Sequence, residues 1–292
     1  MDGFVLLVFV LVYLGMILGR IPGLALDRTG VALLGALLLV LGGRMTPAQA
    51  TGAVDFATLA LLFGLMVVSA QLRLGGFYSR VVQRLAAARV SPDALLALLV
   101  ATAGLLSALL VNDVVCLAMA PMLVEACARR RLDPRPFLLA LALAANIGSA
   151  ATLIGNPQNI LVGQALRLSF GRYLLDAAVP AVAGLAVAWW IVRAGVAGRW
   201  ERTTELRAAA GAPPLHAWRS TKGLLVLGAV TVLFLLAPWP RELVALGGAA
   251  LLLASRHVRS RRMLGLVDWQ MLVLFCALFV VHGALAASGL ER

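Results

Sequence analysis

The sequence predicts an all-α polytopic membrane protein on an inverted-repeat plan, with one re-entrant hairpin, one broken membrane helix and an incomplete second repeat. Three observations lead there. The chain is 62% hydrophobic and 13% charged, with a mean hydropathy of +0.97, far from ordinary soluble domains. Two apolar runs are interrupted by polar motifs, VNDV at 111–114 and GNPQN at 155–159. A shift of 213 residues lays one part of the chain over another.

In chain order, the apolar runs lie near 4–19, 30–43, 55–72, 95–126, 136–168, 173–192, 222–237, 242–255 and 268–286. Several fall short of the ~20 residues that a straight spanning helix needs. The first run has no basic leader or small-residue cleavage site, so it reads as a retained span. Between 77 and 90, Phe77, Val81 and Leu85 fall on one side and Arg80 and Arg84 on another, the pattern of a helix lying in the membrane interface. From 194 to 221 the chain turns polar and carries Pro213 and Pro214, which suits a connection between two halves. The organisation expected is therefore a first repeat at 1–193, with a hairpin at 92–128, a broken helix at 136–168 and a closing span. A linker at 194–221 and a partial second repeat at 222–292 follow.

Charge supports this layout and excludes other classes. The net charge is +12, but the basic residues flank apolar runs without any aromatic-basic platform, so nucleic acid is not an expected partner. Cys116, Cys127 and Cys276 sit inside apolar runs with no metal-like spacing and read as small buried hydrophobes. With the N-terminus outside and 95–126 entering and leaving on one face, 20 of the 25 basic residues fall on the cytoplasmic side. Only Arg44, Arg167, Arg172, Arg241 and Arg292 remain outside. A full crossing by 95–126 would instead put the arginines at 73–89 and at 129–135 on opposite faces.

The 213-residue shift places VALLGALLLV (31–40) on VALGGAALLL (244–253), and 55–76 on 268–289, so that Asp55 meets Asp268 and Gly76 meets Gly289. In the topology above, 55–72 runs inward and 268–286 outward, which makes the repeats inverted. After Gly76 come the hairpin and the broken helix. After Gly289 come only Leu290, Glu291 and Arg292, so the second copies of those parts are expected to be missing from this chain.

The interruptions carry the functional expectation. Residues 136–147 and 157–168 each make about 18 Å of helix, which puts GNPQN near the middle of a ~30 Å hydrocarbon core. Asn156 suits an N-cap and Pro157 the first helical position, so the second half-helix points its positive end at the membrane centre. Asn112 is the expected cap of the returning hairpin limb, with Asp113 beside it. Two such half-helix ends form an anion cradle, and freed carbonyls nearby hold a cation. Pro121 and Pro180 read as simple kinks. Asp113 marks an ion or proton path, or an interfacial carboxylate if the bend lies elsewhere. Glu125, Asp55, Asp176 and Asp268 lie near segment ends and read as interfacial, while His282 has no assigned role.

NDVVCLAMAPM (112–122) followed by NIGSAATLIGNPQNILVG (146–163) resembles the ion transporter superfamily of citrate-transporter-like permeases, divalent-anion:sodium symporters and arsenite permeases. The nearest group is that of anion permeases. The resemblance implies a secondary transporter for a small inorganic or organic anion in a bacterial-type inner membrane, coupled to sodium or protons, with no other cofactor. It also implies an often dimeric assembly in the lipid bilayer. Arsenite efflux and sodium/proton antiport are the alternatives within the superfamily. Carried over by residue, the site comprises Asn112, Asp113, Asn146, Gly148, Ser149, Thr152, Gly155, Asn156, Pro157 and Asn159, with a sodium site near Asn112 and Asn156. The dicarboxylate symporters have a Ser-Asn-Thr type of tip where this chain has Val111, Asn112 and Asp113, and the added carboxylate suits a proton or another ion. A membrane hydrolase would need paired aspartates, HExxH or a Gly-x-Ser-x-Gly elbow, which the sequence lacks, and a non-transporting scaffold has no use for broken polar segments.

Overall fold

The computed structural model describes residues 3–19, 26–196, 198–200, 216–255 and 258–289. The proline-bearing part of the expected linker lies outside them, as do Arg20, Arg202, Arg207, Arg256 and Arg292 of the charge argument. The described residues form fourteen helices and no sheet. Five of these helices are long and apolar enough to cross a membrane: α4 (Phe56–Leu74), α6 (Pro92–Leu109), α10 (Phe170–Val196), α11 (Ala217–Leu236) and α14 (Trp269–Ala287). The others are α1 (Gly3–Leu18), α2 (Arg28–Leu41), α3 (Pro47–Ala53), α5 (Phe77–Ala87), α7 (Asn112–Arg129), α8 (Pro134–Ser149), α9 (Pro157–Ala165), α12 (Arg241–Leu253) and α13 (Ser260–Leu264).

The repeat found in the sequence recurs at the level of elements. α2 and α12 begin 213 residues apart, at Arg28 and Arg241; so do α3 and α13, at Pro47 and Ser260, and α4 and α14, at Phe56 and Trp269. Helices α4 and α14 each have 19 residues. Both open on an aspartate that satisfies first-turn amides: Asp55 Oδ1 accepts from the N–H groups of Ala57 and Thr58, and Asp268 Oδ1 from that of Met271. Both end at a glycine with φ of +74°, Gly76 and Gly289, a left-handed backbone that only glycine adopts without strain. The two aspartates are thus helix caps, a more definite role than the interfacial one expected. Helices α3 and α13 were not foreseen. The first has a local signature in Thr46-Pro47-Ala48-Gln49, a capping box in which the Gln49 amide donates to Thr46 Oγ1 and the Thr46 amide to Gln49 Oε1.

The chain divides into two compact units, Met1–Leu59 with Asp268–Arg292, and Ala60–Val267. In the first, α14 packs on α1, α2 and α3 around Val8, Val12, Leu39 and Val281. His282, unassigned from sequence, sits edge-on to Phe9, with Nδ1 3.3 Å from Tyr13 Oη. In the second unit, Gly64 of α4 lies directly against the Ala245 backbone of α12, and Gly223 of α11 against Leu72 of α4. The α1–α2 pair therefore packs on α14, and the α11–α12 pair, of the same type, on α4.

Helix α5 departs from its expected orientation. It packs on α7 and buries Tyr78, Ser79 and Val82, whereas Phe77, Val81 and Leu85 are only half-buried. The apolar stripe read from sequence was offset by about one residue, or ~100° of helix. Periodicity locates a face but does not say which neighbour claims it. Arg80 and Arg84 remain exposed, as expected.

Candidate functional site

Helices α6 and α7, of 18 residues each, are joined through Leu110 and Val111. The Arg130 guanidinium, just past α7, donates to the carbonyls of Ala88 (3.2 Å) and Val90 (2.7 Å), just before α6. The two ends of the pair are therefore in direct contact and its turn points away from them, so the pair is a helical hairpin. At about 27 Å per limb, it is longer than a hairpin that stops at mid-depth would need if it stood upright.

The second interruption lies between α8 and α9. The two pieces are unequal, 16 and 9 residues, where similar lengths were expected. Helix α8 continues through Gly148 and Ser149, and α9 stops early, with Arg167 just beyond it at φ 49°. The break is consequently displaced toward the end that leads into α10.

Most of the candidate residues converge where the hairpin turn meets this break. Asn156 Oδ1 accepts from the Asn159 amide at 2.7 Å, and Pro157 occupies the first helical turn, as expected. Asn156 Nδ2 also donates to Ser149 Oγ (3.0 Å), and Asn159 Nδ2 to the carbonyls of Thr152 (2.9 Å) and Ser149 (3.3 Å). The loop's freed backbone oxygens are thus held by its own amide side chains. Thr152 Oγ1 donates to Ala108 O at 2.5 Å, and the Asn112 amide to Gly155 O at 3.0 Å, so the break is sewn to the hairpin turn on both sides. Gly155 is required by contact: a Cβ there would strike the Ser149 backbone. So is Gly148, whose missing Cβ leaves room for the Gly104 backbone of α6.

The expected cap at Asn112 is not made. Val111 is the N-cap residue of α7, with no side-chain bond, and Asn112 is already helical. Its Nδ2 donates instead to Asn146 Oδ1 at 3.1 Å, while Asn146 Nδ2 donates to Ala142 O. The helix starts one residue earlier than expected, so Asn112 lies inside it and its oxygen is not placed to cap, while α8 beside the turn gives the Nδ2 group a partner. Asn112 is 7% exposed and its Oδ1 has no hydrogen-bond partner. A buried oxygen without a donor is uncommon and asks for a reason. Asp113, in the first turn of α7, points to an exposed position. Glu125, expected near a segment end, is 7% exposed, with Oε1 2.6 Å from Arg129 Nη2. Cys127 is buried as expected, while Cys116 and Cys276 are half-buried. Among the described residues no cluster of His, Cys, Asp or Glu could hold a metal.

Sequence reasoning missed Gly104, Ala108 and Arg130. None belongs to a motif, and Gly104 and Ala108 act through backbone atoms, which leave no pattern in side-chain chemistry. A groove of about 550 Å³ beside Gly104, Ala108, Gly148 and Ala151 runs toward Leu185 and Trp189. Its walls are apolar, so it offers nothing to hold an anion.

The pairing of a helical hairpin with a capped helix break invites comparison with known proteins. The family model described as "Citrate transporter" (CitMHS) matches residues 5–291. The chain belongs to the citrate transporter family. That is a family of membrane transporters and not of enzymes. Among curated relatives, a silicon efflux transporter of Oryza sativa subsp. japonica is 36% identical over 167 residues, covering 57% of this chain and 34% of the relative. An uncharacterized transporter of Mycobacterium tuberculosis (H37Rv) is 32% identical over 293 residues, covering 97% of this chain and 67% of the relative. A Dictyostelium discoideum protein named as transporter arsB is 29% identical over 164 residues, covering 56% and 29%. The chain thus spans between about a third and two thirds of the length of these relatives. In this citrate transporter family member both interruptions of regular helix meet at one cluster.

Proposed function

We propose that this chain forms the greater part of a secondary transporter that moves a small anion across a bacterial-type plasma membrane, driven by sodium or protons. The α6–α7 hairpin is re-entrant and tilted, α8–α9 is a broken span, and 1–193 and 222–292 belong to inverted repeats joined by 194–221, with the N-terminus outside. The observation that carries this reading is the seam between Asn112, Thr152 and Gly155, where the hairpin turn and the helix break hold one another. Irregular backbone in a membrane is tolerated only where protein or a water-filled cavity satisfies it. The orphaned Asn112 Oδ1 supports a role at the coupling ion, because a bound cation would supply the partner that this acceptor lacks.

A purified transporter that contains this chain together with a second hairpin and a second broken helix, reconstituted into liposomes with a sodium or pH gradient imposed, tests this with citrate, arsenite and silicate as solutes. Asn112→Ala should abolish uptake while leaving the folded yield unchanged. The backbone N–H that meets Gly155 O survives the change, and the truncation removes an unsatisfied buried oxygen. Asn156→Ala should abolish it too. Full uptake by both variants would refute the site. Because the rice relative is named for silicon efflux and another relative as arsB, efflux of a weakly acidic hydroxide is the second reading. Movement of arsenite or silicate but not of citrate in the same vesicles would select it.

A further inference from the structure

We propose that the cleft between α5 and the end of α7 binds the headgroup of an anionic phospholipid. Helix α5 lies between α4 and α6, two helices long and apolar enough to cross a membrane, so it must sit at a membrane surface. The level of that surface is marked independently. The Asp93 carbonyl, at the start of α6, accepts from Trp189 Nε1 at 3.3 Å, and its carboxylate from Arg193 Nε at 3.0 Å. A Trp and an Arg at the end of a long apolar helix are the usual anchors at headgroup depth. Arg130 binds the Ala88 and Val90 carbonyls just ahead of α6, which keeps the end of α7 at the same level.

The cleft has a volume of about 210 Å³. Val82, Ala86, Met122 and Ala126 form its apolar walls, and Arg129 and Arg130 its charged side. Glu125 also lines it, but this carboxylate is 7% exposed and neutralised by Arg129, leaving a net positive charge in the cleft. The Arg129 side chain is 68% exposed, and Arg84 on α5 and Arg131 and Arg135 after α7 are exposed as well. Guanidinium groups recognise phosphate oxygens through paired N–H donors. The apolar walls match the glycerol and first acyl carbons of a lipid and give an inorganic anion nothing. That contrast, together with the position at the bilayer surface, selects a phospholipid over free phosphate.

The test is thermal unfolding of the full chain in neutral detergent, with phosphatidylglycerol, phosphatidylcholine or inorganic phosphate added. Phosphatidylglycerol should raise the midpoint above that reached with phosphatidylcholine at equal mole fraction, and inorganic phosphate should leave it unmoved. The double variant Glu125→Gln with Arg129→Gln keeps the local net charge but removes the guanidinium, and Ala86→Phe fills the cleft while leaving the ion pair intact. Both should lose the difference between the lipids; if one fails to fold, the other decides. Equal effects of the two lipids, persistence of the difference in either folded variant, or a matching rise with inorganic phosphate would each overturn the proposal.

Discussion

Gly104 and Gly148 are in contact through their backbones, and this one approach sets how closely α6 and α8 can lie. In a bilayer, where helices gain no hydrophobic energy from leaving lipid, such close contact is what packing has to offer. Gly148→Ala should therefore lower the apparent unfolding temperature in detergent markedly, because the new methyl meets backbone rather than a side chain that can move aside. Gly247→Ala is the control: nothing lies within 4 Å of a Cβ there. Glycine in a helix interior costs roughly 0.5–1 kcal/mol relative to alanine, so that variant should be neutral or slightly more stable. Equal losses from both changes would show that helix propensity, not contact, governs these positions. Asn156 is the other residue whose role is visible at this scale. It both caps α9 and donates to Ser149. Asn156→Asp keeps the cap acceptor and loses the donor, so it should retain more thermal stability than Asn156→Ala, for which loss of the cap costs about 1 kcal/mol.

Among the elements, the α6–α7 hairpin makes the sharpest statement about topology. Because Arg130 reaches the Ala88 and Val90 carbonyls, the basic groups before α6 and after α7 lie close together. Single cysteines at Arg89 and Arg135, both exposed, should be labelled by a membrane-impermeant reagent from the same face of inverted and right-side-out vesicles. Labelling from opposite faces would remove the hairpin from the membrane topology. These positions avoid Ser91 and Asp133, whose side chains cap α6 and α8. The same element shows where a local rule falls short. A cap at Asn112 is the local expectation for an asparagine opening a helix, but the helix begins at Asn112 itself with Val111 as N-cap, and the side chain turns its Nδ2 to Asn146 Oδ1 on α8 at 3.1 Å.

For the molecule as a whole, the two long helices that begin 213 residues apart, α4 and α14, are not equally reinforced at their starts. Asp55 accepts three hydrogen bonds, from the Ala57 and Thr58 amides and the Thr58 hydroxyl at 2.6 Å. Asp268 accepts from the Met271 amide. Both should be needed, since each opens the long helix on which an α1-α2 type pair packs. Asp55→Ala should lower the apparent unfolding temperature more than Asp268→Ala, read by thermal unfolding of the two variants side by side in one detergent. A larger loss from Asp268→Ala would mean that the caps matter less than the packing of the helices they begin.

By itself the sequence determined the helical, membrane-embedded class, the 213-residue spacing at which helix starts recur, the presence of both interruptions, and the cap at Asn156. Hydrophobic runs, capping residues and glycine or proline punctuation are local, and a bilayer leaves the backbone few alternatives to helix. It also indicated most of the residues that now meet at the hairpin turn, because asparagines and glycines inside apolar runs are conspicuous there. Only the tertiary structure decided which face of α5 is buried, where Asn112 sends its amide, how far α8 extends, and that Ala108 and Gly104 belong to the seam. Those outcomes depend on which helix lies alongside which. Backbone carbonyls and missing Cβ atoms act through proximity alone, and proximity between residues 44 positions apart, as for Thr152 and Ala108, is set by packing.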